Sequence, residues 1–100
     1  MRGNWESLLG LAQRAGKLVS GEELVVKEIR RKHARLVLLA DDASDNTKKK
    51  ITDKATTYGI PVCIVAGRYE LGHAIGKAQR VTIAVTDEGF AKKLFAILDQ

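Results

Sequence analysis

The sequence predicts an α/β layer fold, with helices on both faces of a largely parallel or mixed sheet. Three observations carry this expectation. Apolar residues recur at helical spacing in several stretches, as with Trp5, Leu8, Leu9 and Ala12 at i, i+3, i+4 and i+7. Short continuous apolar runs, LVLLA at 36–40, VCIV at 62–65 and VTIAV at 81–85, have the length and composition of buried strands. The two kinds of stretch alternate along the chain, with no internal repeat, linker or low-complexity segment.

Taken in order, Asn4 caps a first helix that runs to about residue 15 and that Gly16 stops. A short strand spans 17–19. Ser20-Gly21 then turns into a second helix over 21–33, with Val25, Ile29 and one of Leu24 or Val26 facing inward. Ser20 and Glu23 have the spacing of a capping box, in which the hydroxyl accepts from the Glu23 N–H and the carboxylate accepts from the Ser20 N–H. Gly21 lets backbone or ligand come close. A helix start with free N–H groups is a place where phosphates and base edges dock. Lys27, Arg30 and Arg31 follow at i, i+3 and i+4 as one cationic stripe. The bland alternative is a well-capped surface helix with solvated charges.

The run at 36–40 reads as a central strand covered on both faces and ended by Asp41-Asp42. Ser44 caps a third helix to about residue 58, with Ile51, Ala55 and Tyr58 as its apolar positions and Lys48, Lys49, Lys50 and Lys54 making it basic. Gly59 closes it and Pro61 follows the stop. A second buried strand covers 62–65, and Ala66, Gly67 and Arg68 form a loop. A short helix over 69–76 turns Leu71, Ala74 and Ile75 inward. After the last strand at 81–85, Asp87 or Thr86 caps a final helix over 88–98, with Phe90, Leu94, Phe95 and Leu98 buried.

The 100 residues make one domain, spanning 1–100, large enough to bury a core without staples. A net charge of +5 and a pI near 9.6 favour a polyanionic partner such as nucleic acid. Cys63 is the only cysteine, so there is no disulfide and no cysteine metal cluster. No leader-like apolar region opens the chain, and no apolar run approaches the length of a membrane span. The expected setting is cytoplasmic, with no membrane partner.

Catalytic chemistry finds little footing. Asp41-Asp42, at the carboxyl end of a buried strand, suits Mg²⁺ in an open α/β sheet, but Asp also favours turns and helix starts. His33 and His73 have no partner at metal spacing. Residues 67–73, GRYELGH, fail the phosphate-loop pattern at its lysine. The Gly72 to Gly76 spacing matches a membrane-helix contact motif in surroundings too polar for one. No metal or cofactor is expected. Lys17, Lys27, Arg30, Arg31, Lys48, Lys49, Lys50 and Arg68 fall near helix starts or loops that follow strands, so several are expected to gather on one edge and neutralise phosphates. Five aromatics without a paired strand motif argue against a stacking platform, so a structured RNA fits better than a single strand. Two other readings stay open: an α/β protein-interaction module without specific RNA binding, and a small Mg-dependent phosphate-handling enzyme at Asp41 and Asp42.

Several stretches, in this order and spacing, resemble the kink-turn RNA-binding ribosomal protein family of archaea and eukaryotes, the L-seven-A-e and L-thirty-e group. They are Ala15-Gly16-Lys17, the run from Gly21 through Lys27, LVLLADDAS, GIPV at 59–62, and the run from Glu70 to Gly76. The short form is similar to the bacterial YlxQ-like members. The resemblance covers nearly the whole chain. It implies a three-layer α/β/α sandwich with a four-stranded mixed sheet, no catalysis and no cofactor. It also implies binding to a kink-turn, an internal RNA loop with tandem G·A pairs. Ribosomal RNA is the expected partner, with ribosomal proteins as further partners, for a ribosome-associated monomer. Carried over residue by residue, Gly21 and its neighbours Glu22, Glu23 and Leu24 lie at the helix start that enters the bent RNA. Lys27 matches a lysine that reads guanine edges or phosphate, with Arg30 and Arg31 beyond it. Ala66, Gly67 and Arg68 match the loop that touches extruded nucleotides. Ser44 and Lys48 fall where some members make further contacts. Glu23 and Leu24 depart from the family pattern, where many members have Asn or Lys followed by Glu or Gln.

Overall fold

A computed structural model describes residues 5–99, and the expected cap at Asn4 lies outside them. Five helices and four strands alternate: α1 (Trp5–Arg14), β1 (Leu18–Ser20), α2 (Glu22–Arg30), β2 (Leu36–Leu39), α3 (Asp45–Thr57), β3 (Val62–Ile64), α4 (Arg68–Ala74), β4 (Thr82–Val85) and α5 (Glu88–Leu98). The sheet order is β1-β4-β2-β3. β4 runs antiparallel to both of its neighbours, while β2 and β3 are parallel. The sheet is therefore mixed, with one parallel pair.

Side-chain alternation along the two central strands divides the core. Leu36, Leu38, Ile83 and Val85 face α1, α4 and α5, where they meet Trp5, Leu9, Leu71 and Leu94. Val37, Leu39 and Ala84 face α2 and α3, where they meet Val25, Ile29, Ile51 and Ala55. That makes three layers, with β2 and β4 buried on both faces as their unbroken apolar runs require. Among the described residues, no helix is long and apolar enough to cross a membrane.

Several local expectations are corrected. The second helix ends at Arg30 rather than near residue 33. Lys32 takes a left-handed conformation, φ 63°, and the N–H groups of Lys32 and His33 return to the carbonyls of Ile29 and Glu28. This paired closure normally uses glycine. β3 is an edge strand and only partly buried: Ile64 is 53% exposed. The fourth helix starts one residue early and takes in Arg68, which is not a loop residue. Tyr58 is the exposed C-cap of α3. α5 buries Ala91 and Leu94, while Phe90 and Leu98 are half-buried and Phe95 is 37% exposed.

Candidate nucleic-acid interface

Strand direction decides what this fold gathers. β1, β2 and β3 all end at the same edge of the sheet, because Ser20 pairs with Ile83, Leu39 with Thr82 and Leu39 with Ile64. The starts of α2, α3 and α4 follow these strand ends directly. The edge thus carries Gly21, Glu22, Glu23 and Leu24, then Ser44 with Lys48 one turn along α3, then Ala66, Gly67 and Arg68. Lys27 lies about 7–8 Å farther along α2, and Arg30 and Arg31 close the opposite end of that helix, about 12–14 Å from its start. Lys17 also belongs to the far end, where its carbonyl accepts from the Thr86 N–H at 2.9 Å. The sheet therefore keeps Lys48, Lys49, Lys50 and Arg68 on this edge and sends Lys17, Arg30 and Arg31 to the opposite end, so only part of the expected cations gather.

The helix starts on this edge differ in how they are finished. In α3 the Ser44 hydroxyl accepts from the Thr47 N–H at 3.1 Å, as expected. In α4 the Glu70 carboxylate accepts from the Gly67 N–H at 2.8 Å, and Asp42 Oδ1 accepts from the Arg68 N–H at 3.0 Å. In α2 the expected capping box does not form. The N-cap is Gly21, and no side chain caps it. Ser20 ends β1, and its hydroxyl accepts instead from Arg80 Nε at 3.0 Å. Glu23 is exposed, and its side chain makes no hydrogen bond among the described residues. The spacing fitted the motif, but the strand holds Ser20 one residue too early to reach the helix.

Gly21 adopts φ 101° and ψ 143°, a backbone region that L side chains rarely occupy. Its own N–H goes to the Thr82 carbonyl at 3.1 Å. A Cβ placed on it would meet nothing within 4 Å, so the surface above it is open. The N–H groups of Glu22, Glu23 and Leu24 have no acceptor among the described residues, and they lie beside that opening. Leu24 is 54% exposed next to them.

Glu22 would be expected to repel an anion here, but its charge is compensated across the α2–α3 seam. Its carboxylate accepts from the Thr47 hydroxyl at 2.8 Å and from Lys50 Nζ at 3.0 Å. The hydrogen bond from Thr47, then that from Lys50, hold its pKa below the usual carboxylate value. Arg68 is similarly engaged. Its Nη2 donates to the Asp42 carbonyl at 2.9 Å, and its Nε lies 3.5 Å from Asp42 Oδ2. Asp42 thereby serves as the cap and counter-charge of α4. Asp41 donates its N–H to the Ala66 carbonyl at 3.0 Å. Among the described residues no group of three or more His, Cys, Asp or Glu side chains is arranged to hold a metal ion.

Arg80 is the site residue that sequence reading missed. It reaches Ser20 through its guanidinium and donates its N–H to the Arg68 carbonyl, tying the β1–α2 and β3–α4 corners together. Nothing local marks it, because its place follows only from the antiparallel direction of β4.

The model of the ribosomal protein L7Ae/L30e/S12e/Gadd45 family matches residues 3–95. A Bacillus subtilis (strain 168) protein named RNA-binding protein YlxQ is 59% identical over 95 residues, covering 95% of this chain and 95% of its own. The protein of the same name from Enterococcus faecium is 44% identical over 93 residues, covering 93% of this chain and 89% of its own. A solved structure of a Bacillus halodurans protein of unknown function superposes with a TM-score of 0.94 at 52% identity, covering 96% of this chain and 97% of that one. With the sheet, its helix layers and these matches in hand, the chain belongs to the ribosomal protein L7Ae/L30e/S12e/Gadd45 family.

Proposed function

We propose that this protein is a non-enzymatic RNA-binding protein, one domain over residues 1–100, that docks a kink-turn-like RNA on the edge where α2, α3 and α4 begin. The observation that carries the reading is the bare start of α2. Three consecutive N–H groups without acceptors among the described residues stand beside the open surface over Gly21. Unpaired N–H groups and the positive end of a helix attract phosphate and purine acceptors. α3, α4 and α5 all have side-chain acceptors at their starts, so among the helices whose caps are described the bare start is that of α2. Two relatives that share most of the chain are named as RNA-binding proteins, which supports the same reading. The family description supports a ribosomal setting, and we take a ribosome-associated cytoplasmic monomer as the working state.

In this reading the α2 backbone meets the G·A-containing bend, Lys27 reads a guanine edge or phosphate, and the segment at Ala66, Gly67 and Arg68 borders extruded nucleotides. Ser44 and Lys48 add contacts from α3. The rival Mg-dependent enzyme at Asp41 and Asp42 loses support, since Asp42 is committed to Arg68. A groove of about 420 Å³ lies at the far end beside Arg35, Pro61 and Phe95. Of its three ionisable groups, Glu88 and Lys92 pair with each other, so it offers no proton-transfer set.

The test is a titration of a labelled kink-turn RNA at several salt concentrations. Affinity should fall with salt with a log–log slope of several units. Binding should also weaken when the tandem G·A pairs are replaced by Watson–Crick pairs. Weak, salt-insensitive binding to every RNA tried would favour a protein-interaction module instead.

A further inference from the structure

The net charge of +5 is not spread evenly. On the edge where α2, α3 and α4 start, over residues 20–24, 40–50, 65–70 and 76–81, six carboxylates face six Lys and Arg side chains, so the local charge balances. The surplus lies at the opposite end of the sheet. There Lys17, Arg30, Arg31, Lys32 and Arg35 are all exposed, and none has a hydrogen-bond or ion-pair partner for its side chain among the described residues. The neighbouring acids are already used: Glu28 lies 3.2 Å from His33 Nδ1, Asp87 accepts from the Phe90 N–H at 2.9 Å, and Glu88 pairs with Lys92 at 3.6 Å.

The backbone brings these cations together. The Arg35 N–H donates to the Val85 carbonyl at 2.7 Å, and the Thr86 N–H donates to the Lys17 carbonyl at 2.9 Å. Lys17 and Arg35 therefore flank the end of β4, two strand spacings or about 10 Å apart. The early stop of α2 matters here. The left-handed turn at Lys32 folds the chain back toward β2, which places Arg30, Arg31 and Lys32 beside Arg35 instead of farther along a continuing helix.

We infer that this far end is a second RNA-contact surface, which takes the phosphate backbone of an RNA duplex while the α2-start edge holds another segment. The protein then bridges two RNA elements. The inference rests on the proposed RNA function for the identity of the polyanion. Its location rests on the charge distribution alone. Three of the five cations are arginines, whose forked donors suit phosphate oxygens. Residues 30–35 expose no Phe, Tyr or Trp face for stacking single-stranded bases, and the exposed His33 ring is held 3.2 Å from Glu28. They expose no large apolar side chain either, and the nearby Phe95 is more than half buried in its groove, which leaves a bilayer little to anchor on.

The experiment compares the full chain with the variant Arg30→Gln/Arg31→Gln/Lys32→Asn/Arg35→Gln. Asn keeps the left-handed turn accessible. The probe is a labelled, blunt RNA duplex of mixed sequence, offered with and without one equivalent of unlabelled kink-turn RNA. The natural protein should bind the duplex in both cases. The variant should bind it at least about tenfold more weakly, with a log–log salt slope smaller by about 3–4 units. Its kink-turn affinity should change far less. If the quadruple variant does not fold, Arg31→Gln/Arg35→Gln should show a smaller loss in the same direction. Unchanged duplex affinity, or full displacement of the duplex by one equivalent of kink-turn RNA, overturns the inference. So does a variant that loses affinity for phosphatidylserine vesicles but not for RNA. If the natural protein ignores kink-turn RNA while the variant still loses the duplex, the α2-edge reading fails and the second surface stands.

Discussion

Glu23 and Leu24 occupy the exposed first turn of α2, beside the N–H groups that lack acceptors. A carboxylate only accepts hydrogen bonds, and it brings negative charge toward phosphate. Leu24 strips water from any polar group it covers and returns nothing. No capping box restrains Glu23, so its replacement forfeits no hydrogen bond of the fold. The double change Glu23→Asn/Leu24→Glu is therefore expected to tighten binding to a standard kink-turn at least about tenfold, near 1.4 kcal/mol. The unfolding midpoint should stay close to that of the natural protein. A folded double variant that binds no better would put this turn outside the interface. Lys27 and Arg68 should separate cleanly in the same titration. Lys27→Ala should cost about 1–3 kcal/mol of binding and relax sequence preference, with little effect on stability. Arg68→Ala should weaken all RNAs alike. It should also lower stability by about 1 kcal/mol, since the α4 start loses its bond to the Asp42 carbonyl. Thr82 makes a different point: its hydroxyl is fully buried without a partner among the described residues. Thr82→Val keeps the β-branched shape and removes an unsatisfied donor, so urea unfolding should show it neutral or stabilised by up to about 1–2 kcal/mol. A clear loss would mean that the hydroxyl is satisfied in solution.

At the scale of elements, the sequence was legible wherever burial was two-sided or the stop was a glycine. LVLLA and VTIAV mark the two central strands because both faces need apolar side chains. Gly16 and Gly59 mark the ends of α1 and α3 because both take positive φ. α2 overran in the sequence reading because its stop is made by Lys32, a residue that gives no local sign of a left-handed turn. VCIV read as buried because apolar content does not reveal that β3 has a neighbour on one side only. The site was half legible for the same kind of reason. Its helix starts follow strand ends in sequence, whereas Arg80 and the split of the cations depend on strand direction. Gly72 shows a spacing whose meaning came only with the fold. A Cβ on it would lie 2.4 Å from the Gln79 Cα, so the glycine admits the 77–80 segment against α4. Gly72→Ala should destabilise by about 1–3 kcal/mol or more through backbone displacement, seen as a lower denaturant midpoint. Kink-turn affinity should drop as well, because Arg80 ties this segment to Ser20. Glu22 offers a pH handle on the α2–α3 seam. Its folded pKa is depressed, so its contribution is present above the unfolded value of 4.5 and is lost as pH falls through the folded value. The stability gap between the natural protein and Glu22→Gln should be small at pH 7, since the pair is partly exposed. It should close under acid conditions, and a gap that persists there would assign the effect to packing instead.

For the whole molecule, electrostatics makes opposite demands at neutral and acid pH. The structure spans 31 × 26 × 25 Å, about one Debye length at 0.01 M salt, so at that ionic strength every charge feels the others. At pH 7 the terms nearly cancel. Salt weakens exposed pairs such as Lys49–Asp53, Lys50–Glu22 and Lys92–Glu88, each worth a few tenths of a kcal/mol. It also relieves repulsion at the cationic far end. There, charges about 10 Å apart cost about 0.4 kcal/mol per pair in a water-like medium. Much of that repulsion between sequence neighbours persists in the unfolded chain. The melting temperature should therefore change by less than about 2 °C between roughly 0.02 and 0.3 M salt. At pH 3 the balance is gone. Most of the 12 carboxylates are protonated, which leaves the 17 Lys and Arg and both His residues without counter-charge. Both ends of the sheet then repel, including the edge that is balanced at neutral pH. Acid should lower the melting temperature, and the same increase in salt should recover several degrees of it, because screening acts on repulsion alone. Thermal scans at two pH values and two salt concentrations check this. A large salt response at pH 7, or none at pH 3, would contradict the balance described for the α2-start edge.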